Sequence, residues 1–179
     1  MRALCVFCGS SLGTNGVYVE AAERFGRLLA AREITLVYGG GRVGIMGTIA
    51  DAVLAVGGKV IGVIPNALAE REVAHGSLTE LHLVESMHER KALMSDLSDG
   101  FVALPGGYGT LEEFCEMLTW AQLGIHDKPC GLLNVGGYYD GLLALFDHFV
   151  AQGFVRHEYR RLVLADSSPE RLLEAVLPP

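Results

Sequence analysis

Nowhere in the chain is there an apolar run of bilayer length; the longest, such as 142–146, fall far short of the roughly 20 residues a spanning helix requires. No membrane partner is expected. A secretory leader pattern is missing too, because residues 1–7 enter a strand pattern directly, so a cytoplasmic location is the expectation. Basic residues are in deficit, 14 Lys and Arg against 21 Asp and Glu for a formal charge of -7, which argues against a protein that wraps nucleic acid while allowing a local basic site for a mononucleotide. Four cysteines provide no disulfide framework. The Cys5 and Cys8 pair lies in and at the end of the first strand pattern, whereas a redox CxxC opens a helix and a zinc site needs a second pair. Cys115 and Cys130 stand alone, so all four read as reduced and mostly buried. His75, His82, His88, His126, His148 and His157 show no zinc-like spacing, and no metal or other cofactor is expected. A P-loop is absent, since Gly58-Lys59 is followed by Val60. Gly39-x-Gly41-x-x-Gly44 matches the dinucleotide fingerprint in form only: it follows the second strand, and no acid ends the next strand, 61–64, to hold a ribose.

What is present is alternation. With 179 residues the chain is expected to form a single domain, 1–179, large enough for a sheet covered on both faces. Strands read at 3–8, 34–38, 59–64, 81–84, 101–104, 129–134 and 162–164, and helices at 17–31, from the 39–47 loop to about 56, and at 87–97, 110–123, 138–152 and 169–177. The stretch 66–79 is the least regular and reads as a mobile loop over a site. Alternation of this kind implies an α/β fold, a doubly wound, Rossmann-like parallel sheet flanked by helices. Ligands of such sheets bind at the carboxyl ends of the strands near the point where strand order reverses. Three small-residue turns follow strands, at 9–11, 39–47 and 105–110, and are expected to line one crevice.

The chain is organised around 104–113, Leu-Pro-Gly-Gly-Tyr-Gly-Thr-Leu-Glu-Glu. A strand ends at a proline that cannot donate to a ladder, and three glycines then let the backbone turn tightly and leave room beside it. Thr110 is expected to cap a helix whose first turn carries Glu112 and Glu113, and free amides at such a start attract an anion such as phosphate. Glu112 reads as a capping carboxylate; Glu113 is the candidate to act on a ligand.

A second cluster is Met87-His88-Glu89-Arg90-Lys91, in which Met87, Arg90 and Lys91 are expected close together on one helical face. Arg90 offers a planar fork of donors for phosphate, carboxylate or a purine edge. Met87-His88-x-Arg90-Lys91 followed by Pro105-Gly106-Gly107-x-Gly109-Thr110-x-x-Glu113 resembles the signature pair of the Lonely Guy (LOG) family, cytokinin-activating phosphoribohydrolases. Cys8-Gly9-Ser10-Ser11, Tyr38-Gly39-Gly40-Gly41 with Gly44-x-Met46-Gly47, and Trp120-x-Gln122-Leu123-Gly124-x-His126-x-Lys128-Pro129 also resemble family patterns, so the likeness extends over nearly the whole chain. The resemblance implies hydrolysis of the N-glycosidic bond of N6-modified adenosine 5'-monophosphates, in many members also of AMP, releasing the base and ribose 5-phosphate. It further implies a homodimer, with Arg90 and Glu113 as the catalytic pair. Some relatives bear the label lysine decarboxylase; the three lysines here, Lys59, Lys91 and Lys128, have no setting that suggests a cofactor Schiff base.

The chemistry suits these residues on its own terms. Breaking a ribosyl C–N bond builds positive charge on the sugar, which a carboxylate such as Glu113 can stabilise while orienting a water. The departing purine gains electron density, so Arg90 can serve there or hold the nucleotide. The 5'-phosphate is expected on the amides of Gly106, Gly107, Gly109 and Thr110, with Tyr108 in the same turn and Gly40 and Gly41 bordering the crevice. Met87 and Lys91 join Arg90 as substrate-binding candidates, and Ser10 and Glu80 are secondary candidates for base and ribose contacts. The alternative is a non-catalytic nucleotide-binding sensor or carrier on the same scaffold.

Overall fold

The computed structural model describes residues 2–69 and 74–178. Seven strands, β1 (Ala3–Phe7), β2 (Thr35–Tyr38), β3 (Val60–Pro65), β4 (Glu80–Val84), β5 (Phe101–Ala103), β6 (Cys130–Leu133) and β7 (Val163–Asp166), lie in one sheet in the order β4-β3-β2-β1-β5-β6-β7. All six pairings are parallel. The helices are α1 (Val17–Ala31), α2 (Gly44–Leu54), α3 (Asn66–Ala69), α4 (Met87–Asp96), α5 (Tyr108–Gln122), α6 (Asp140–Ala151), α7 (His157–Arg160) and α8 (Pro169–Val176). Strands buried on both faces carry unbroken apolar runs, and every residue of β1, β2, β5 and β6 is buried.

Two cores follow from the two faces. On one, Phe25 and Leu29 of α1, Ile45, Ile49 and Val53 of α2, and Leu172 and Val176 of α8 pack on Leu4, Val6 and Leu36. On the other, Met94 of α4 and Phe114 and Met117 of α5 pack on Cys5, Phe7, Phe101 and Leu132, with α6 laid against them through Leu142, Leu143 and Phe146. Cys5 and Cys8 belong to opposite cores, and all four cysteines are free thiols. Burial pushes the Cys130 thiol up to about 12 and raises Cys115, so neither has thiolate character near neutral pH.

Strand order reverses between β1 and β5, which puts the crevice between the loops that follow them. Gly9 ties the three glycine turns together there. Its N–H donates to the Pro105 carbonyl at 3.1 Å, and its own carbonyl accepts from Met46 N–H at 3.2 Å. The approach is close enough that a Cβ on Gly44 would lie 2.2 Å from the Ser10 carbonyl carbon. The expectation of one crevice lined by three turns is met.

Some local expectations are corrected. Helix α5 begins at Tyr108 with Gly107 as N-cap, so Thr110 is not the cap, and Glu112 and Glu113 lie beyond the first turn, which holds no acid. Thr110 is instead drawn inward against Gly106, where its hydroxyl occupies the space a Cβ would need. The stretch 66–79 opens with the short helix α3; the reading of a mobile loop falls partly on 70–73, outside the described residues. Beyond them the backbone is tied down by His75 N–H to the Gly40 carbonyl, 3.0 Å, and by His75 Nε2 to Asp51, 2.9 Å. No helix among the described residues is long and apolar enough to cross a membrane.

Candidate active site

A cavity of about 310 Å³ opens over the switch point, lined by Cys8, Gly9 and Ser10 after β1, Met46, Leu68, Met87 and Arg90, and the start of α5 from Gly107 to Thr110 with Glu112 and Glu113. Helix α4 presents Arg90 because its own start is well capped. Ser86 Oγ accepts from Glu89 N–H at 3.1 Å, and the Glu89 carboxylate accepts from Glu85 N–H at 2.8 Å, a reciprocal pair of caps at the helix entry.

Arg90 is almost fully buried, a costly position for a fixed charge. Its Nε donates to the Val63 carbonyl at 3.1 Å and its Nη2 to the Gly39 carbonyl at 3.3 Å, so the carboxyl ends of β3 and β2 hold the fork. Gly39 leaves the guanidinium its place: a Cβ there would stand 2.1 Å from Nη2, so the fork would have to move. The remaining nitrogen, Nη1, faces Glu113 Oε1 at 3.7 Å and Met87 Sδ at 3.8 Å. The Glu113 side chain is 12% exposed. Buried ion pairs are a poor source of stability. This one lines the cavity beside the start of α5.

The helix start supplies the second half of the site. The amides of Tyr108, Gly109 and Thr110 have no intrahelical acceptors, as at any helix N-terminus, and carry its partial positive charge. A Cβ on Gly107 or Gly109 would meet nothing within 4 Å. Protein packing does not account for those two glycines; they leave the surface open for a ligand to reach the backbone. From Tyr108 to Glu113 the helix rises about 7.5 Å, comparable to the span from a 5'-phosphate to the anomeric carbon of its ribose.

Other candidates lie elsewhere. Lys91 does not share a face with Arg90: its Nζ bridges Glu112 at 2.5 Å and Glu116 at 2.7 Å, tying α4 to α5, and Lys91 does not itself line the cavity. Its pKa is raised by hydrogen bonds to both carboxylates against the opposing effect of burial. The pairing offsets the negative charge of Glu112 at the cavity. Gly40 and Gly41 are buried behind the cavity, Gly40 against Val63 and Ile64 and Gly41 bridged to Ala74. Glu80 begins edge strand β4, paired with Ile61, at the amino end of the sheet and away from the crevice. Lys59 and Lys128 do not line the cavity either; Lys128 Nζ donates to the Ser95 carbonyl at 2.7 Å. Sequence reasoning passed over Tyr138 and Tyr139, whose hydroxyls reach the glycine turn from 32 and 35 residues away, with no local pattern to announce them.

Fold and site together define a Rossmann-like protein with a cavity of about 310 Å³ at its switch point, onto which the start of α5 and the Arg90–Glu113 pair open. Residues 46–176 match the family model described as possible lysine decarboxylase. The chain is 55% identical over 170 residues to a probable cytokinin riboside 5'-monophosphate phosphoribohydrolase of Oryza sativa subsp. japonica, a match covering 95% of this chain and 76% of that one. It is 51% identical over 173 residues to a cytokinin riboside 5'-monophosphate phosphoribohydrolase of Arabidopsis thaliana, covering 97% and 81%. Among solved structures, the molybdenum cofactor binding protein of the phototrophic bacterium Rippkaea orientalis superimposes with a TM-score of 0.72 at 22% identity, covering 98% of this chain and 94% of that one. The Moco carrier protein of Chlamydomonas reinhardtii gives 0.71 at 19%, with the same coverage; these two likenesses concern the fold alone. The chain belongs to the LOG family of phosphoribohydrolases, a family of hydrolases.

Proposed function

We propose that the protein hydrolyses the N-glycosidic bond of N6-modified adenosine 5'-monophosphates, and of AMP, to the free base and ribose 5-phosphate. The observation that carries this reading is the Arg90–Glu113 pair, set within about one and a half turns of helix of the amides that open α5. The phosphate rests on those amides, and the ribose then lies along α5 with its anomeric carbon at Glu113. The carboxylate stabilises the oxocarbenium-like sugar and orients the attacking water. Arg90, fixed by two backbone carbonyls, meets the electron-rich purine or holds the nucleotide. Met46, Leu68 and Met87 supply an apolar wall that suits a purine and an alkyl group on its N6.

The test is release of base from AMP and from N6-isopentenyl-AMP by the purified protein, without added metal or pyridoxal phosphate, with the corresponding nucleosides run alongside. The nucleosides should react at least tenfold more slowly, because the α5 amides have nothing to bind. Equal turnover of adenosine and AMP would sink the reading.

The protein is further expected to act as a homodimer. Helix α6 carries Leu142, Leu143, Leu145, Phe146, Phe149 and Val150, yet none of its residues is buried in the single chain. Beside it, a groove of about 200 Å³ between α5, α6 and α7 is lined by Leu118, Phe146, Phe149, Val155 and Leu162. A second copy set against this face removes the apolar surface from water. Sedimentation showing only monomer at micromolar concentration would reject it.

A further inference from the structure

The loop after β6 is built to hold two aromatic hydroxyls against the glycine turn. Asn134 Oδ1 accepts from Tyr139 N–H at 2.7 Å, and its amide donates to Asp140 at 2.8 Å. Gly136 and Gly137 take left-handed conformations, φ 59° and 72°, that turn the chain back toward the sheet. The Tyr138 ring then packs edge-on between Tyr18 and Tyr139, with centroids 5.4 and 5.0 Å away. The hydroxyls land on successive parts of one turn: Tyr139 donates to the Leu104 carbonyl at 2.6 Å and Tyr138 to the Gly106 carbonyl at 2.5 Å. The carbonyl between them, on Pro105, already accepts from Gly9 N–H. All three consecutive carbonyls of Leu104, Pro105 and Gly106 therefore have a specific donor.

The two tyrosines differ in what they serve. Tyr139 is buried, and its bond satisfies a carbonyl deep in the fold. Tyr138 is 42% exposed and its acceptor lies at the surface, where water can replace it, so stability gives little reason for the contact. In a trans peptide the C=O of one residue and the N–H of the next point in opposite directions, and no peptide among the described residues is cis. Fixing the Gly106 carbonyl toward Tyr138 turns the Gly107 N–H to the other side of the turn, where α5 opens. A glycine pair without this anchor can rotate its shared peptide freely.

We propose that Tyr138 is a positioning residue for phosphate recognition, orienting the Gly106–Gly107 peptide so that the Gly107 amide joins those of α5 around the 5'-phosphate. This inference rests on the nucleotide-hydrolase reading above.

The test is Tyr138→Phe, which keeps the ring and its packing and removes only the hydroxyl. For AMP, KM should rise about five- to tenfold, the range for one lost hydrogen bond, with kcat within twofold of wild type. The slow turnover of adenosine should be unchanged, and inorganic phosphate, used as a competitive inhibitor, should weaken by the same factor as KM. An unchanged KM and an unchanged phosphate inhibition constant would overturn the inference. So would equal losses on AMP and adenosine, which mark a general loosening of the fold. Failure of the underlying reading shows separately, in the wild-type protein, as no preference for AMP over adenosine.

Discussion

Glu113→Gln is expected to lower kcat about a hundredfold or more, with KM for the nucleotide within a few-fold of wild type, the loss typical of a single electrostatic group aimed at transition-state charge. The substitution keeps the size of the side chain and most of its hydrogen bonding and removes only the negative charge. That charge does little for a neutral ribose in the ground state and much for the cationic sugar formed as the C–N bond breaks, so the effect falls on turnover rather than on binding. Because α5 begins at Tyr108, Glu113 is neither a first-turn residue nor a cap, and glutamine should leave the helix start undisturbed. Steady-state kinetics with AMP, together with binding of AMP to the variant by calorimetry, separate the two effects. A variant that turns over at the wild-type rate but melts at a lower temperature would falsify the catalytic role and return Glu113 to the status of a structural carboxylate.

Much of this arrangement is legible in the sequence. The inner strands announce themselves because parallel strands buried on both faces need unbroken apolar runs, as in Ala3 to Phe7. The three glycine turns could be placed in one crevice because the carboxyl ends of such a sheet meet where strand order reverses, and Gly9 joins them there. What escaped depends on competition between neighbours. Thr110 has the chemistry of a cap, yet Gly107 takes that position because the threonine side chain is packed inward against Gly106. Lys91 stands next to Arg90, but adjacent residues on a helix of 3.6 residues per turn diverge by about 100°, and the two carboxylates of α5 claim it. The spacing of Glu112 and Glu116, one helical turn apart, was the available signal for a basic partner across the interface. The contacts of Tyr138 and Tyr139 join segments more than 30 residues apart and leave no trace in local periodicity.

Arg90→Ala should harm binding, turnover and stability together, unlike the Glu113 substitution. In the wild type the guanidinium fills the space left by Gly39, satisfies the Val63 and Gly39 carbonyls and faces Glu113 across 3.7 Å. Its removal leaves a carboxylate that is 12% exposed without this cation, and breaking a buried pair in this way costs about 3–5 kcal/mol. For a chain of this size that corresponds to a melting temperature lower by about 10 °C. In the proposed mechanism this cation touches the nucleotide in both ground and transition states, so its loss should raise KM as well as lower kcat, and kcat/KM should fall about a thousandfold. Arg90→Lys distinguishes charge from geometry. A lysine ammonium restores the positive charge opposite Glu113 but cannot donate to two carbonyls and still present a nitrogen to the cavity. Most of the melting temperature should therefore return while kcat/KM stays at least tenfold below wild type. If Arg90→Lys proved kinetically equal to wild type, the planar fork would have no part in the reaction, and a point charge at the end of β2 and β3 would be all the chemistry requires.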